Sequence, residues 1–396
     1  MKPALLVVLA GIPLLGFAVS ERARKLHEAA FVFDAHVHMV DRQMYLGGDI
    51  GERVSNGQVD LPRARDGGID AMFFSIFIPE DYYPQRFETK QALRLVDLAL
   101  TQIEHNRNVI ELARNASDIV RINRAGKMAA VLDIEGGFDL DGDLGVLRSL
   151  YRLGVRSLQL PAHNWTNNFA DSCCAAPKNG GLNERGKAVV REMNRLGMVI
   201  NVSHAADATI AAALDVSTAP LIATHHGIRT LNNIPRNMPE DLMRRIAAKG
   251  GVIGFQIGNE FHNRKAFDWR TQHAGKPFWD TSEIGKRKET ATIEEIDRKV
   301  APRFPMVGVN MPESILFTPD EWIAVIEKAI AIAGEDHVAL GSDFDGGPTP
   351  PKGIRDISGL PLLTDAMLRR GWPEERIRKF LGGNLLRVFR QITEGK

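Results

Sequence analysis

The chain has only two cysteines among its 396 residues, and they are neighbours, Cys173 and Cys174. Adjacent cysteines do not supply a spaced thiolate zinc site, and a bond between them would have to bend both disulfide and peptide geometry. They are expected as two small loop side chains. An excess of charge is also missing, because 50 Lys and Arg face 49 Asp and Glu for a formal net charge of +1. Such a balance gives no field suited to a polyphosphate backbone, so no nucleic-acid partner is expected. No G-x-G-x-x-G follows an early apolar run, which argues against a dinucleotide-binding open sheet. Internal repeats and low-complexity linkers are lacking too. The sequence therefore reads as one large domain, residues 31–396, close to a barrel of roughly 250 residues enlarged by insertions.

Long apolar runs are scarce. The one at the amino terminus, Ala4 to Val19, is interrupted by Gly11, Pro13 and Gly16. Lys2 precedes it, and Ala18 and Ser20 supply small residues for a signal peptidase, so residues 1–20 are expected to be a signal peptide of an exported protein. Arg22, Arg24 and Lys25 follow at once and would also suit an uncleaved membrane anchor. A cytoplasmic location stays open, but no cysteine follows the run to accept a lipid.

What the chain does contain is alternation. Apolar, β-branched runs at Phe31–His38, Ala71–Ile78, Met128–Glu135, Ser157–Ala162, Met198–His204, Leu221–His225, Val252–Ile257 and Val338–Phe344 read as eight strands. Continuous runs such as AMFFSIFI and MAAVLDI suit parallel strands buried on both faces. Segments of helical period lie between them, at Lys90–Asn115, Asn183–Leu196, Pro239–Lys249 and Pro319–Ile332. The expected fold is α/β, a (β/α)8 TIM barrel with an insertion between strands 7 and 8, about residues 258–312. That segment is rich in aromatics and charge and is expected over the barrel mouth.

Chemistry-bearing residues recur at the carboxyl ends of these runs, where barrel active sites lie. FDAHVH places His36 and His38 two apart, on one face of a strand. VLDIEGG ends in the region of Glu135, VINVSH at His204, LIATHH at His225, and ALGSDFDG carries Asp343. Imidazoles and carboxylates together suit zinc or a similar divalent ion, and Glu135 has two oxygens with which to bridge a pair of ions. Water on such ions loses a proton near neutral pH and becomes a nucleophile. Arg229, four residues past His225, presents a planar fork suited to a substrate carboxylate, or a surface salt bridge. His163, just past the fourth run, suits donation to a developing oxyanion, or holds its loop. His226 is expected to face away from the site. His27, His105, His262, His273 and His337 are read as structural or exposed.

Several long segments then carry a resemblance, in this order: HNWTN, GLNERGKAVVREMNRLGMVINVSH, IPRNMPEDLMRRIAAKGGVIG, GSDFDG and RRGWPEERIRKFLGGNLLRVF. From about Phe33 to the carboxyl terminus the chain resembles the membrane (renal) dipeptidase family of zinc metallopeptidases, among the amidohydrolase-like barrels. The resemblance implies a dipeptidase with two divalent ions, most simply Zn2+. It implies one ion on His36, His38 and Glu135 and the other on Glu135, His204 and His225. It further implies that His163 contacts substrate, Arg229 takes its carboxylate, and Asp343 takes its free amine and handles protons. The chain departs from the family's H-x-D in having His38, which removes one negative charge from the first site and shifts its metal preference. THHGIR also stands where the family more often has S-H-S. Two alternatives to a dipeptidase are an amidohydrolase for another carboxylate-bearing amide, β-lactam or lactone, and a non-hydrolytic tailoring or binding protein. A homodimer is compatible with either reading.

Overall fold

A computed structural model describes residues 19–281, 283–284 and 291–394. All but the last two residues of the expected export segment therefore lie outside the described residues. Among the described residues nine strands form one sheet: β1 (Phe33–Val37), β2 (Ala71–Ile78), β3 (Ile110–Leu112), β4 (Met128–Gly136), β5 (Val155–Gln159), β6 (Val199–Asn201), β7 (Ile222–His226), β8 (Val252–Phe255) and β9 (Val338–Leu340). Eight follow the order β1-β2-β4-β5-β6-β7-β8-β9, every pair parallel. The circle closes where His38 N–H donates to Phe344 O at 3.0 Å and Asp343 N–H to His36 O at 2.8 Å. The (β/α)8 barrel and its eight strands are thus as the sequence predicts. The three-residue β3 is an addition, paired to the start of β4.

Alternation along the strands explains how one barrel can be greasy at one end and polar at the other. On β4, Ala129 and Val131 join an apolar cluster that also holds Phe33, Phe73, Ile222 and Val252. The next two positions of the same face are Asp133 and Glu135, both buried. Ser75, Gln159 and Asn201 add polar atoms at this level, and each donates to one of the two carboxylates. The apolar end is plugged by the last helix, Asn384–Glu394, through Leu385, Val388, Phe389 and Ile392. Phe389 packs edge-on against Phe33 and Phe73, with ring centroids 6.3 and 5.8 Å apart. Burying such a ring contributes about 1.5–3 kcal/mol.

The outer helices begin and end where their caps dictate. Asn183 accepts the N–H groups of Arg185 and Gly186 to open Glu184–Leu196, and Gly197, at φ 73°, closes it. Thr318 and Glu321 form a reciprocal capping box at the start of Pro319–Ala333. The helix expected over Lys90–Asn115 is Glu88–His105, after which the chain turns into β3. No described helix is long and apolar enough to cross a membrane.

The expectation for the cysteines is corrected. Cys173 and Cys174 are joined to each other by a disulfide. In an extended chain neighbouring side chains point apart, but here the backbone turns at these residues and brings the sulfurs together.

Candidate metal centre

The polar end of the barrel opens into a cavity of about 310 Å³ whose lining includes His38, Glu135, His163, His204, His225 and Asp343. His36 lies just beneath, fully buried. The cavity thus brings together seven of the eight residues singled out from the sequence.

Glu135 is the centre of this arrangement, and its two oxygens face different partners. Oε2 lies 2.9 Å from His36 Nε2 and 3.3 Å from His38 Nε2. Oε1 lies 3.1 Å from His204 Nε2 and 3.4 Å from His225 Nε2, and those two nitrogens are 3.0 Å apart. Asp343 joins the first pair, with Oδ1 3.1 Å from His38 Nε2 and 3.8 Å from His36 Nε2. Gln256 holds its other oxygen at 2.7 Å.

The groups behind the imidazoles decide which nitrogen faces inward. His38 Nδ1 meets Asp41 at 2.6 Å, His204 Nδ1 meets Asn164 Oδ1 at 2.9 Å, and His36 Nδ1 lies 3.6 Å from Asp133. Each outer nitrogen therefore carries a proton, and the inner Nε2 atoms converge on the carboxylates. Lone pairs and carboxylate oxygens packed at 3 Å repel unless a proton or cation lies among them, so this donor set fits a divalent ion on each side of Glu135.

The electrostatics divide the two sides. Burial opposes charge on His36, but the Glu135 carboxylate and Asp133 outweigh it and raise its pKa to about 9. His38 is likewise raised, by Asp343 and Asp41 against burial. On the other side burial, with His36 and Arg236 nearby, drops His225 to about 3, and burial with Arg236 lowers His204. Glu135 is held well below the usual carboxylate range because His36, His204 and His225 overcome its burial.

Backbone conformation supports the same positions. His163, His204 and Asp343 all have left-handed φ, at 56°, 61° and 64°, where non-glycine residues are uncommon. The disulfide turn secures two of them: Ser172 Oγ donates to the carbonyls of His163 and His204 at 2.7 and 3.2 Å, and Cys173 N–H donates to His204 O at 2.8 Å.

Arg229 does not join the cavity. Its guanidinium forms a two-pronged pair with Asp207 and faces a separate depression beside Cys173 and Pro235. The cavity is lined instead by Arg236, seven residues on, which is 1% exposed. One Arg236 nitrogen donates to His225 O at 2.9 Å, while Nε and Nη1 have no hydrogen-bond partner among the described residues. Burial lowers its pKa to about 10, so it stays charged at neutral pH. The sequence reading missed Arg236, although it stands within IPRNMPEDL. His226 is buried away from the cavity, near Val202 O. The segment between β8 and β9 supplies Phe261, Arg270, Phe278, Arg303 and Met306 to the cavity wall.

These features can be set beside known proteins. The sequence model of the family described as membrane dipeptidase, peptidase family M19, matches residues 20–396. Dipeptidase tcpJ of Claviceps purpurea is 31% identical over 346 residues, 85% of this chain and 70% of that protein. Dipeptidase 3 of Mus musculus is 30% identical over 354 residues, 86% of this chain and 59% of that one. In fold, the probable dipeptidase PvdM from Pseudomonas aeruginosa superposes with a TM-score of 0.76 at 23% identity, covering 97% of this chain and 100% of its own. A metallopeptidase from Rhodobacter sphaeroides, bound to a phosphinate mimic of L-Ala-D-Ala, gives a TM-score of 0.67 at 24% identity, covering 91% and 98%. The chain belongs to the membrane dipeptidase family and is a metal-dependent hydrolase of the metallopeptidase class.

Proposed function

We propose that the protein is a dipeptidase whose substrates carry a free carboxylate next to the bond that is cut. The observation that carries this reading is Arg236: a buried guanidinium with two unsatisfied nitrogens, in the cavity wall that also holds the Glu135 cluster. A buried cation with free donors is suited to a desolvated anion, and a planar fork suits a carboxylate. Arg236 takes the role that sequence proximity had given to Arg229.

His36, His38 and Glu135, with Asp343 beside them, would hold one ion, and Glu135, His204 and His225 the other. Nitrogen and carboxylate donors favour zinc. Bound there, a pair of divalent ions would supply a nucleophile from water near neutral pH and polarise the peptide carbonyl. Asp343, anchored by Gln256 and ionised at neutral pH, would receive the substrate's ammonium group, take the proton that the attacking water gives up and pass it to the leaving amine. His163 presents Nε2 3.9 Å from Glu135 Oε1, where it would face a carbonyl oxygen that develops charge.

The test is a panel of L,L and L,D dipeptides, their amides, N-acyl amino acids and lactones, with and without added zinc. Free dipeptides should be the best substrates and their amides poor ones. Arg236→Met should cost roughly 2–4 kcal/mol in kcat/KM for free dipeptides and little for amides. Equal turnover of acids and amides by the wild type would favour the broader amidohydrolase reading.

A further inference from the structure

Glu80 follows β2 directly, at the mouth end of the barrel, and is 4% exposed. Its Oε1 lies 2.5 Å from His163 Nδ1 and also accepts Asn164 N–H at 3.2 Å. The next two residues fasten the same turn to the segment between β8 and β9. Asp81 pairs with Arg303 at 2.9 Å, and Tyr82 donates to Asp297 at 2.6 Å, itself gripped by Arg94 at 2.7 Å. Two of these three consecutive side chains thus hold the turn to the segment between β8 and β9, and the third holds it to the loop after β5.

His163 is fixed from several directions. Its carbonyl is taken by Ser172, and its ring lies against Phe77 and His204 with centroids 4.9 and 4.0 Å away. None of these contacts chooses which ring nitrogen faces the cavity. Among the described residues the contact to Glu80 does, because a carboxylate accepts and cannot donate, so Nδ1 carries a proton and Nε2 turns toward Glu135.

We propose that Glu80 is a positioning residue for His163: it holds Nδ1–H, aims Nε2 at the reacting carbonyl, and supplies the countercharge when the ring has taken a second proton from solvent and Nε2–H donates a hydrogen bond to the oxygen. The proposal rests on the dipeptidase reading for the reaction, but the geometry it invokes can be observed without turnover.

The kinetic experiment is a cycle of Glu80→Ala, His163→Ala and the double variant in the metal-loaded enzyme, on the best wild-type dipeptide. Glu80→Ala should lower kcat by roughly 10- to 100-fold, the range for removing a group that orients a catalytic histidine, with KM and metal content near wild type. In the His163→Ala background the same change should do nothing further. Glu80→Asp should recover part of the loss, and Glu80→Gln serves where the alanine variant does not fold. Equal losses in both backgrounds, or loss of metal alongside activity, would overturn the proposal in favour of a structural role. Nitrogen-15 spectra of the His163 ring give the second arm: a protonated Nδ1 in the wild type and a changed pattern in Glu80→Ala are expected. An unprotonated Nδ1 in the wild type sinks the proposal whatever the kinetics show. Absence of wild-type dipeptide turnover would sink the dipeptidase reading and leave the spectra to decide on Glu80.

Discussion

His38 is the residue at which this chain leaves its family's H-x-D pattern, and its neighbours show what the imidazole does. Nδ1 is bound to Asp41, which is 1% exposed, while Nε2 points to Asp343 and Glu135. Asp41 therefore returns, one step behind the cluster, the negative charge that His38 removes from it. Restoring aspartate alone would leave two carboxylates facing each other in a buried site. His38→Asp should accordingly lose roughly 3–5 kcal/mol of stability, as expected when one partner of a buried pair is removed. His38→Asp with Asp41→Asn should recover both stability and zinc content. Equal zinc content in the wild type, His38→Ala and both of these variants, measured by elemental analysis, would take His38 out of the ligand set. Arg229 makes the opposite point. Its pair with Asp207 is partly exposed, with side chains 25% and 45% accessible, so Arg229→Met should cost about 1 kcal/mol of stability or less and leave dipeptide kcat/KM unchanged. Spacing from His225 made Arg229 look like the anion binder, because a sequence shows which residues are near in the chain but not which cation finds a partner. Asp207 reaches Arg229 from the start of the helix Asp207–Val216, and Arg236 is marked only by burial and unsatisfied nitrogens. Glu80 was illegible for the same reason, since its meaning depends on a contact 83 residues away.

At the scale of elements the sequence was far more legible. A parallel strand covered on both faces must be apolar throughout, so runs such as AMFFSIFI at β2 announced themselves, and the metal-type residues fell at the mouth ends of the strands. The strand β3 escaped notice because Ile110–Leu112 offers three residues, too few for a period, at the tail of a helical stretch. The last helix, which the sequence reading did not single out, turns its apolar face onto the barrel end remote from the cluster. That separation can be measured. Phe389→Ala removes a fully buried ring from this plug and should lower unfolding stability by roughly 3–5 kcal/mol in denaturant titration. Below its lowered melting temperature the variant should keep wild-type kcat/KM. A loss of activity without a loss of stability would show that the two ends of the barrel are coupled more tightly than their packing indicates.

For the whole molecule, fold and metal meet at one cluster, because β1, β4, β7 and the chain after β6 and β9 all deliver ligand candidates to it. The protonation of those groups sets how strongly metal binding and folding are linked. Without metal, His36 at about 9 is protonated at neutral pH, whereas His225 at about 3 is not. The second site is therefore ready for an ion at pH 7, while the first must release a proton to accept one. His36 is raised above the ordinary histidine value of about 6.5, so its contribution to metal-free stability is complete below that pH and is lost as pH rises through about 9. Over the same interval ion binding at the first site strengthens, since fewer protons compete. The gap in melting temperature between zinc-loaded and chelator-treated protein should therefore widen from pH 6.5 to pH 9. Calorimetric scans at intervals across that window would measure it, and titrations of zinc into metal-free protein at pH 7, in buffers of different ionisation enthalpy, should show net proton release. A gap that stays constant or narrows would mean that His36 holds no displaceable proton, and the first site would have to be built without it.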